Sequence, residues 1–574
     1  MVKLASNNHM DQDQHLSFLK ARGESGEYLK KCPDIDFFKT CVQNDILDNV
    51  TDWKLLTRSY KILKANPFTK EHFGEGLDYI ISARNKLSVI YNSDFSLSLQ
   101  NKMNFYVWVF FETKKNNVYV PYHIVSPFCM KYKIDLEDFF EYLVRHALHK
   151  NLFTSRDIRN NETSIEKWLH NANVLYTDFN NVMELDEQQN ITIQKVMTSK
   201  FSIIQGNAGC GKTTSICEML KQINSNKKIK IFAAAFTHKA KKCIEARLRS
   251  AGLDNVVIGT VHSVIGIMSS MAETGSSEDI FIVLDEASML DIELLGTLAN
   301  TMLASAARYQ VCFVGDYFQI QPVGRGELFR QLVEDDKDVV CKLLRCYRTD
   351  KEDLFQAYEN LRKGNIPSSS DHFKIEYKES DQDISSFVGK FINKHHGAYQ
   401  IIAWQNKHLG MLNSWVQKAL VKANKIGPGH FKRGMKEFYV NDKVIYCGEN
   451  SEDLTNSMNG IIVNVDSKGV WIKWEHKSMH SVYKDTYGIY LAYAISAHKS
   501  QGSEYNNVLV VCYEVEKMCK CLDRRWLYTS CTRGQENVVV VTTKHIDGFV
   551  NKQLSKIPIH NTNIDYELCA NNDE

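Results

Sequence analysis

Residues 201–223 read FSIIQGNAGCGKTTSICEMLKQI, and the order of residue types in this stretch decides the fold class. The β-branched run from Phe201 to Gln205 has the length and composition of a buried strand. The run from Thr213 to Ile223 carries apolar residues at spacings of three and four and predicts a helix. Between them stands Gly206-Asn207-Ala208-Gly209-Cys210-Gly211-Lys212-Thr213, with the spacing of a phosphate-binding loop. Its glycines let backbone N–H groups close around phosphate oxygens, Lys212 reaches the β- and γ-phosphates, and the Thr213 hydroxyl is placed for Mg²⁺. Thr214 continues the same cradle into the helix. The implied cofactors are ATP and Mg²⁺, and a strand–loop–helix of this kind implies a parallel α/β sheet.

Outward from the loop, the alternation of strand and helix continues. Between about 185 and 345 the runs IKIFAAAF, IFIVLDEA and YQVCFVGD alternate with helical stretches, the pattern of a parallel sheet with crossover helices. From about 400 the alternation resumes with YQIIAWQN, NNVLVVCYE and VVVVTT. Residues 441–490 read instead as short strands and turns (DKVIYCG, NGIIVNVDSKGVWIKWE), a small β-barrel inserted into the second α/β unit. Residues 1–180 read as mainly helical, with DLEDFFEYLVRHALHK (135–150) showing helical spacing, and carry no chemical motif. Three domains are therefore expected: 1–180 accessory, 181–350 first α/β unit, and 351–574 second α/β unit containing the insertion.

The 574-residue chain has 44% hydrophobic and 24% charged residues, which excludes both a single small module and wholesale disorder. Its 70 Lys+Arg nearly cancel 68 Asp+Glu, so a nucleic-acid partner must be held by a local groove and not by a global basic field. The longest apolar run, Phe105 to Phe111, is far short of the roughly 20 residues that span a bilayer. The N-terminus lacks the apolar core of a secretory signal. An intracellular protein, cytoplasmic or nuclear, with no membrane partner is expected. The 15 cysteines include no Cys-x-x-Cys pair and read as reduced thiols.

A phosphate loop needs a second metal anchor and a base, and IVLDEASML supplies Asp285 and Glu286 at the end of an apolar strand. Asp285 would hold Mg²⁺ together with Thr213, and Glu286 would orient and deprotonate the attacking water. Alone, an Asp-Glu pair is usually a solvated strand end; after a phosphate loop in the same sheet it takes on the catalytic reading.

Motif by motif over about residues 185–545, the sequence resembles a superfamily 1 helicase of the RecD/Dda type. LDEQQ resembles the adenine-recognition motif and puts Gln189 on the base. AAAFTHKAKK implies Thr237 and His238 near the nucleic acid, and TVHS implies Thr260 and His262 in the same role. VGDYFQIQPVGRGELF resembles the coupling motif, in which Gln319 senses the γ-phosphate. LLRCYRTD supplies Arg348; AISAHKSQGSEY supplies Ser496, His498, Lys499, Gly502 and Glu504; LYTSCTRGQ supplies Arg533. Two arginines, Arg348 and Arg533, could stabilise the charge of a transferring γ-phosphoryl group from outside the loop. Phe236, Trp404 and His498 are candidate stacking platforms for bases, and Asn406 resembles a family position after the second-unit strand.

The resemblance implies a fold of two RecA-like units with an SH3-like barrel at 441–490. It also implies ATP-dependent 5′-to-3′ movement on single-stranded DNA and opening of duplex junctions. A nucleotide-gated DNA-remodelling ATPase and an Upf-like RNA helicase are the alternatives. The polar segment IMSSMAETGSSEDI (267–280), within 264–280, is placed for a duplex-splitting pin, and residues 1–180 for binding a protein partner.

Overall fold

The computed structural model describes Val107, Phe110, and residues 118–132, 136–145 and 152–543 apart from short breaks, most of them at turns. The chain divides into two compact units, residues 1–159 and 160–574.

The described part of the first unit holds a three-stranded antiparallel sheet in which Leu152–Ser155 lies between Val120–Pro121 and Leu143–Arg145. Beside it, Phe110, Phe128 and Phe139 pack with ring centroids 5.0–5.8 Å apart. The helix expected over 135–150 is corrected here. It runs only from Leu136 to Glu141, and Leu143 and Arg145 then pair with Ser155 and Phe153. The spacing Leu143, Arg145 also satisfies the two-residue strand period, and pairing to a buried neighbour outweighs the helical pattern. Of the expected mainly helical domain, residues 1–106 lie outside the described residues.

The second unit begins on a parallel sheet of six strands: β1 (Phe201–Gly206), β2 (Ile229–Ala235), β3 (Val257–Thr260), β4 (Asp279–Asp285), β5 (Tyr309–Gly315) and β6 (Val340–Leu343). Their order is β3-β2-β4-β5-β1-β6, and β1 and β5 are buried along their whole length. That two-sided burial explains why the strands read as continuous apolar runs and not as alternating ones. Helices α1 (Glu187–Thr198), α2 (Lys212–Asn224), α3 (His238–Ser250), α4 (Val261–Glu273) and α5 (Ile292–Leu303) connect and cover them. One polar side chain inside, Gln310, is satisfied by donating to the carbonyls of Val196 and Ser199 at 2.9 and 2.8 Å, closing the end of α1.

The turn-rich reading of 264–280 is also corrected. α4 runs through to Glu273. Its hydroxyls do not break it, because Ser269, Ser270 and Thr274 donate back to the carbonyls of Ile265, Gly266 and Ser270.

A second parallel sheet starts with β7 (Phe373–Tyr377) and β8 (Tyr399–Ala403). The chain then leaves it through a hairpin, β9 (His430–Arg433) and β10 (Lys436–Tyr439). An antiparallel sheet follows, of β11 (Lys443–Tyr446), β12 (Asn459–Asp466), β13 (Gly469–Trp474), β14 (Ser481–Tyr483) and β15 (Ile489–Leu491). This insertion has its own core of Phe438, Val444, Ile462, Val470, Ile472, Trp474 and Ile489. At its root the buried Asp442 accepts from the Tyr493 hydroxyl and the Gln417 amide, both at 2.6 Å. The parallel sheet resumes with β16 (Ala494–Ser496), β17 (Tyr505–Cys512) and β18 (Gly534–Thr542), giving the order β7-β18-β17-β8-β16. Alternate residues of β17 enter different cores, Val508 and Val510 on one face, Leu509 and Val511 on the other. Among the described residues no helix is long and apolar enough to cross a membrane.

Candidate nucleotide site and strand-contact residues

The loop between β1 and α2 is shaped by two glycines in the left-handed region, Gly209 (φ +75°) and Gly211 (φ +78°). Gly209 has a second constraint: a Cβ there would stand 2.3 Å from the Arg348 Cβ. The Tyr347 amide donates to the Gly209 carbonyl at 2.7 Å, so the segment carrying Arg348 lies directly on the loop. Gly209→Ala should therefore cost about 1–2 kcal/mol of stability from backbone strain alone, with the steric clash added. A denaturant titration showing no loss would contradict this account of the loop. The Lys212 ammonium donates to the carbonyls of Gly206 (2.8 Å) and Asn207 (3.1 Å).

Loop residues 208–214 open onto a cavity of about 250 Å³. Asp285, Glu286 and Gln319 line it from the first sheet's strand ends, and Arg348, Gly502, Glu504 and Arg533 line it from beyond. All six residues expected to be catalytic thus meet in one cavity. Three of the expected nucleotide-binding residues stand outside its lining. Gly206 ends β1. Asn207 donates to Glu359 at 3.1 Å. Gln189, buried in α1, accepts from the Asp186 amide at 3.2 Å while its own amide nitrogen lies against Gly211. The spacing of motifs missed Ala240, Cys243, Ile244 and Arg247 of α3, and Tyr347 and Gln535. The α3 residues recur at helical intervals of three and four, a signal that becomes legible only once the helix face is known.

The cavity sets two arginines against a pair of adjacent carboxylates. Arg533 is 2% exposed and donates only to neutral oxygens, the Thr529 carbonyl (3.0 Å), the Ser503 carbonyl and the Thr532 hydroxyl. Burial, with the like charge of Arg348 added, pushes its guanidinium down to about 10. Arg348 is held by Glu504 at 2.8 Å and by the Thr532 carbonyl. On the acidic side, burial and then the neighbouring Glu286 raise the Asp285 carboxyl above its ordinary range. Glu286 itself sits at φ +53°, an uncommon left-handed position for a side-chain-bearing residue. Its Oε2 and the Gln319 Oε1 are buried without a hydrogen-bond partner.

The residues expected at the nucleic acid fall into two groups set by strand register. Ala235 pairs with Thr260, which brings the start of α3 (Phe236, Thr237, His238) beside the start of α4 (Thr260, His262). Ala403 pairs with Ser496, which brings Trp404 and Asn406 beside the segment Ser496–Lys499. Thr237, Thr260 and Ser496 each cap a helix, accepting from the amides of Ala240, Ser263 and Lys499. Burial, then the charges of Lys241, Lys242 and His262, holds His238 below the usual histidine range. Trp404 is half-buried against the core of the second sheet, whereas His262, Asn406 and His498 are exposed. Asn406 and Lys499 line a second cavity of about 1000 Å³ between the helix Asn406–Lys422 and the inserted strands, together with Lys418, Lys422 and Lys436.

Comparison with known proteins places this geometry among relatives. Residues 184–379 match the AAA domain family and residues 491–541 the UvrD-like helicase C-terminal domain. The chain is similar to the conjugal transfer protein TraA of Rhizobium radiobacter, 23% identical over 67% of this chain and 35% of TraA. It is similar to the RecBCD enzyme subunit RecD of Buchnera aphidicola, 23% identical over 62% of this chain and 73% of that protein. It is also similar to the ATP-dependent RecD2 DNA helicase of Deinococcus radiodurans, 24% identical over 61% of this chain and 48% of that one. The chain thus spans about a third of the length of TraA and about half of RecD2.

Proposed function

We propose that this chain belongs to the RecD-like branch of superfamily 1 and is an ATP-dependent DNA helicase that moves 5′ to 3′ on single-stranded DNA and opens duplex ahead of it. The observation that carries the reading is the cavity in which Lys212, Asp285, Glu286 and Gln319 of the first sheet meet Arg348 and the buried, carboxylate-free Arg533. Lys212 would leave the loop carbonyls for the β- and γ-phosphates. Glu286 would orient the attacking water and accept its proton, and Arg533 and Arg348 would stabilise charge as the γ-phosphoryl group transfers. Thr213 and Asp285 fit a divalent cation, since a buried carboxylate raised towards its neutral form gains from a cation beside it. Mg²⁺ held there would supply charge neutralisation on the phosphate oxygens.

Arg533 lies between the last helix and strand of the second sheet, so its approach to phosphate depends on how closely the two sheets close. Closure driven by ATP and relaxed by product release would shift the two strand-contact groups relative to each other. We assign Phe236, Thr237, His238, Thr260 and His262 to one grip on the strand and Trp404, Asn406, Ser496, His498 and Lys499 to the other. The insertion at 430–491 is read as the family's small SH3-like barrel, enclosing the strand, and residues 1–180 as an accessory domain that binds a protein partner.

ATPase assays with and without single-stranded DNA, followed by unwinding of tailed duplexes, test this. Hydrolysis should be stimulated by single-stranded DNA. A duplex with a 5′ tail should open and one with only a 3′ tail should not. Opening of 3′-tailed duplex alone would overturn the polarity, and stimulated hydrolysis without any unwinding would favour a remodelling ATPase.

A further inference from the structure

We propose that the Tyr528 hydroxyl is a positioning group that ties the phosphate loop to the γ-phosphate-sensing Gln319, and so couples closure of the second sheet to hydrolysis. The inference rests on the ATPase reading above and assigns a role to a side chain that no cavity-lining residue fulfils.

Tyr528 sits on the helix Arg524–Cys531 of the second sheet's layer and is 2% exposed. Its oxygen accepts a hydrogen bond from the Ala208 amide of the phosphate loop at 3.2 Å and donates to Asp316 Oδ2 at 3.1 Å. One phenol thus joins the two strand ends that carry the loop and the sensor. Asp316 is completely buried. Its other oxygen accepts from the Gln205 amide (3.2 Å) and the Phe318 backbone (3.1 Å), both of the first motor sheet's layer. Gln319 donates to the same Oδ2 as Tyr528, at 3.4 Å, and turns its unpartnered Oε1 into a buried position.

Four donors on one carboxylate are then interdependent. If the helix carrying Tyr528 withdraws, Ala208 loses the acceptor of its amide and Asp316 loses its only hydroxyl donor. Gln319 is then left as the one donor of the pair on Oδ2, and its position at the cavity is less fixed. With the helix in place, Tyr528 and Gln319 hold Oδ2 together and the unpartnered Gln319 Oε1 is kept for the nucleotide. Burial and the Asp316 charge keep the phenol in its neutral form, which it needs in order to accept and donate at once. A second bond across the same interface, from the Ile320 amide to the Thr529 hydroxyl at 3.0 Å, touches neither the loop nor Asp316. It therefore separates a coupling role from mere adhesion.

The test compares Tyr528→Phe with Thr529→Val. Steady-state ATPase is measured with and without single-stranded DNA, and binding of a fluorescent ATP analogue in parallel. Tyr528→Phe keeps the ring and should lower DNA-stimulated kcat by about 10-fold, the weight of one well-placed hydrogen bond. KM for ATP and analogue affinity should change less than about 2-fold, since the loop's phosphate contacts remain. Thr529→Val should leave the degree of DNA stimulation unchanged. Equal losses in both variants, or a Tyr528→Phe loss confined to nucleotide affinity, would overturn the coupling role while leaving the proposed function intact. Unaltered stimulation in Tyr528→Phe would overturn it as well. A wild-type chain with no DNA-stimulated hydrolysis would overturn the function and this inference together.

Discussion

Arg533→Met should lower kcat for ATP hydrolysis by about 10³-fold, near 4 kcal/mol of transition-state stabilisation, while nucleotide affinity changes by no more than about 3-fold. The asymmetry follows from where the charge sits. Arg533 is buried and bonded only to neutral oxygens, so its guanidinium is compensated best when negative charge redistributes on a transferring phosphoryl group. The same burial makes a second, opposite expectation. Burial pushes the group down to about 10, so the folded chain holds that proton less tightly than the unfolded chain. The cost is present in full at neutral pH and fades only as the pH rises above about 10. Replacing the guanidinium by an apolar side chain of similar length should therefore leave the melting temperature of the nucleotide-free protein unchanged or higher. Loss of activity with no loss of stability separates a catalytic arginine from a structural one. A variant that is inactive because it melts early would refute the assignment.

The parts of the site legible in the sequence were those whose chemistry is local. The phosphate loop declares itself because its glycines, Lys212 and Thr213 are consecutive, and the strands of both parallel sheets because two-sided burial makes them uninterrupted apolar runs. Asp285 and Glu286 took their meaning from lying in the same sheet as that loop. Arg348 and Arg533 were another matter. No spacing relates them to the loop, and they were found only through resemblance of LLRCYRTD and LYTSCTRGQ to known motifs. What makes them neighbours is tertiary: Tyr347 donating to Gly209, and Arg533 anchored to the turn of Thr529.

Elsewhere the local signal pointed the wrong way. In α4 a polar, Ser-rich run reads as a turn, yet each hydroxyl finds a carbonyl one turn back and the helix continues. Around Leu143 the apolar spacing fits helix and strand equally, and an edge to pair with decided the outcome. Arg247 and Cys243 escaped notice for the complementary reason. Their helix was evident, but which face of it lines the cavity depends on the register of β2 against β4, fixed by Ala235 lying beside Asp285.

Lys212→Ala should reduce ATP hydrolysis at least 100-fold while leaving affinity for single-stranded DNA within about 3-fold of wild type. The ammonium touches only the loop, donating to the carbonyls of Gly206 and Asn207. The residues assigned to the strand stand at other strand ends, at Thr237, Thr260 and Ser496. Stability should change little, because Lys212 is half-exposed and the two carbonyls it leaves lie at a cavity that admits water. Retention of more than about a tenth of the activity would remove Lys212 from the phosphate site. The more searching form of the test joins it to Arg533→Met. If both side chains act on the charge of one transferring phosphoryl group, their losses cannot add: the double variant should fall little below the weaker single variant. If the two side chains instead contribute independently to that transition state, the losses multiply. Hydrolysis rates of the two singles and the double, measured at saturating single-stranded DNA, decide whether the two side chains act as a unit.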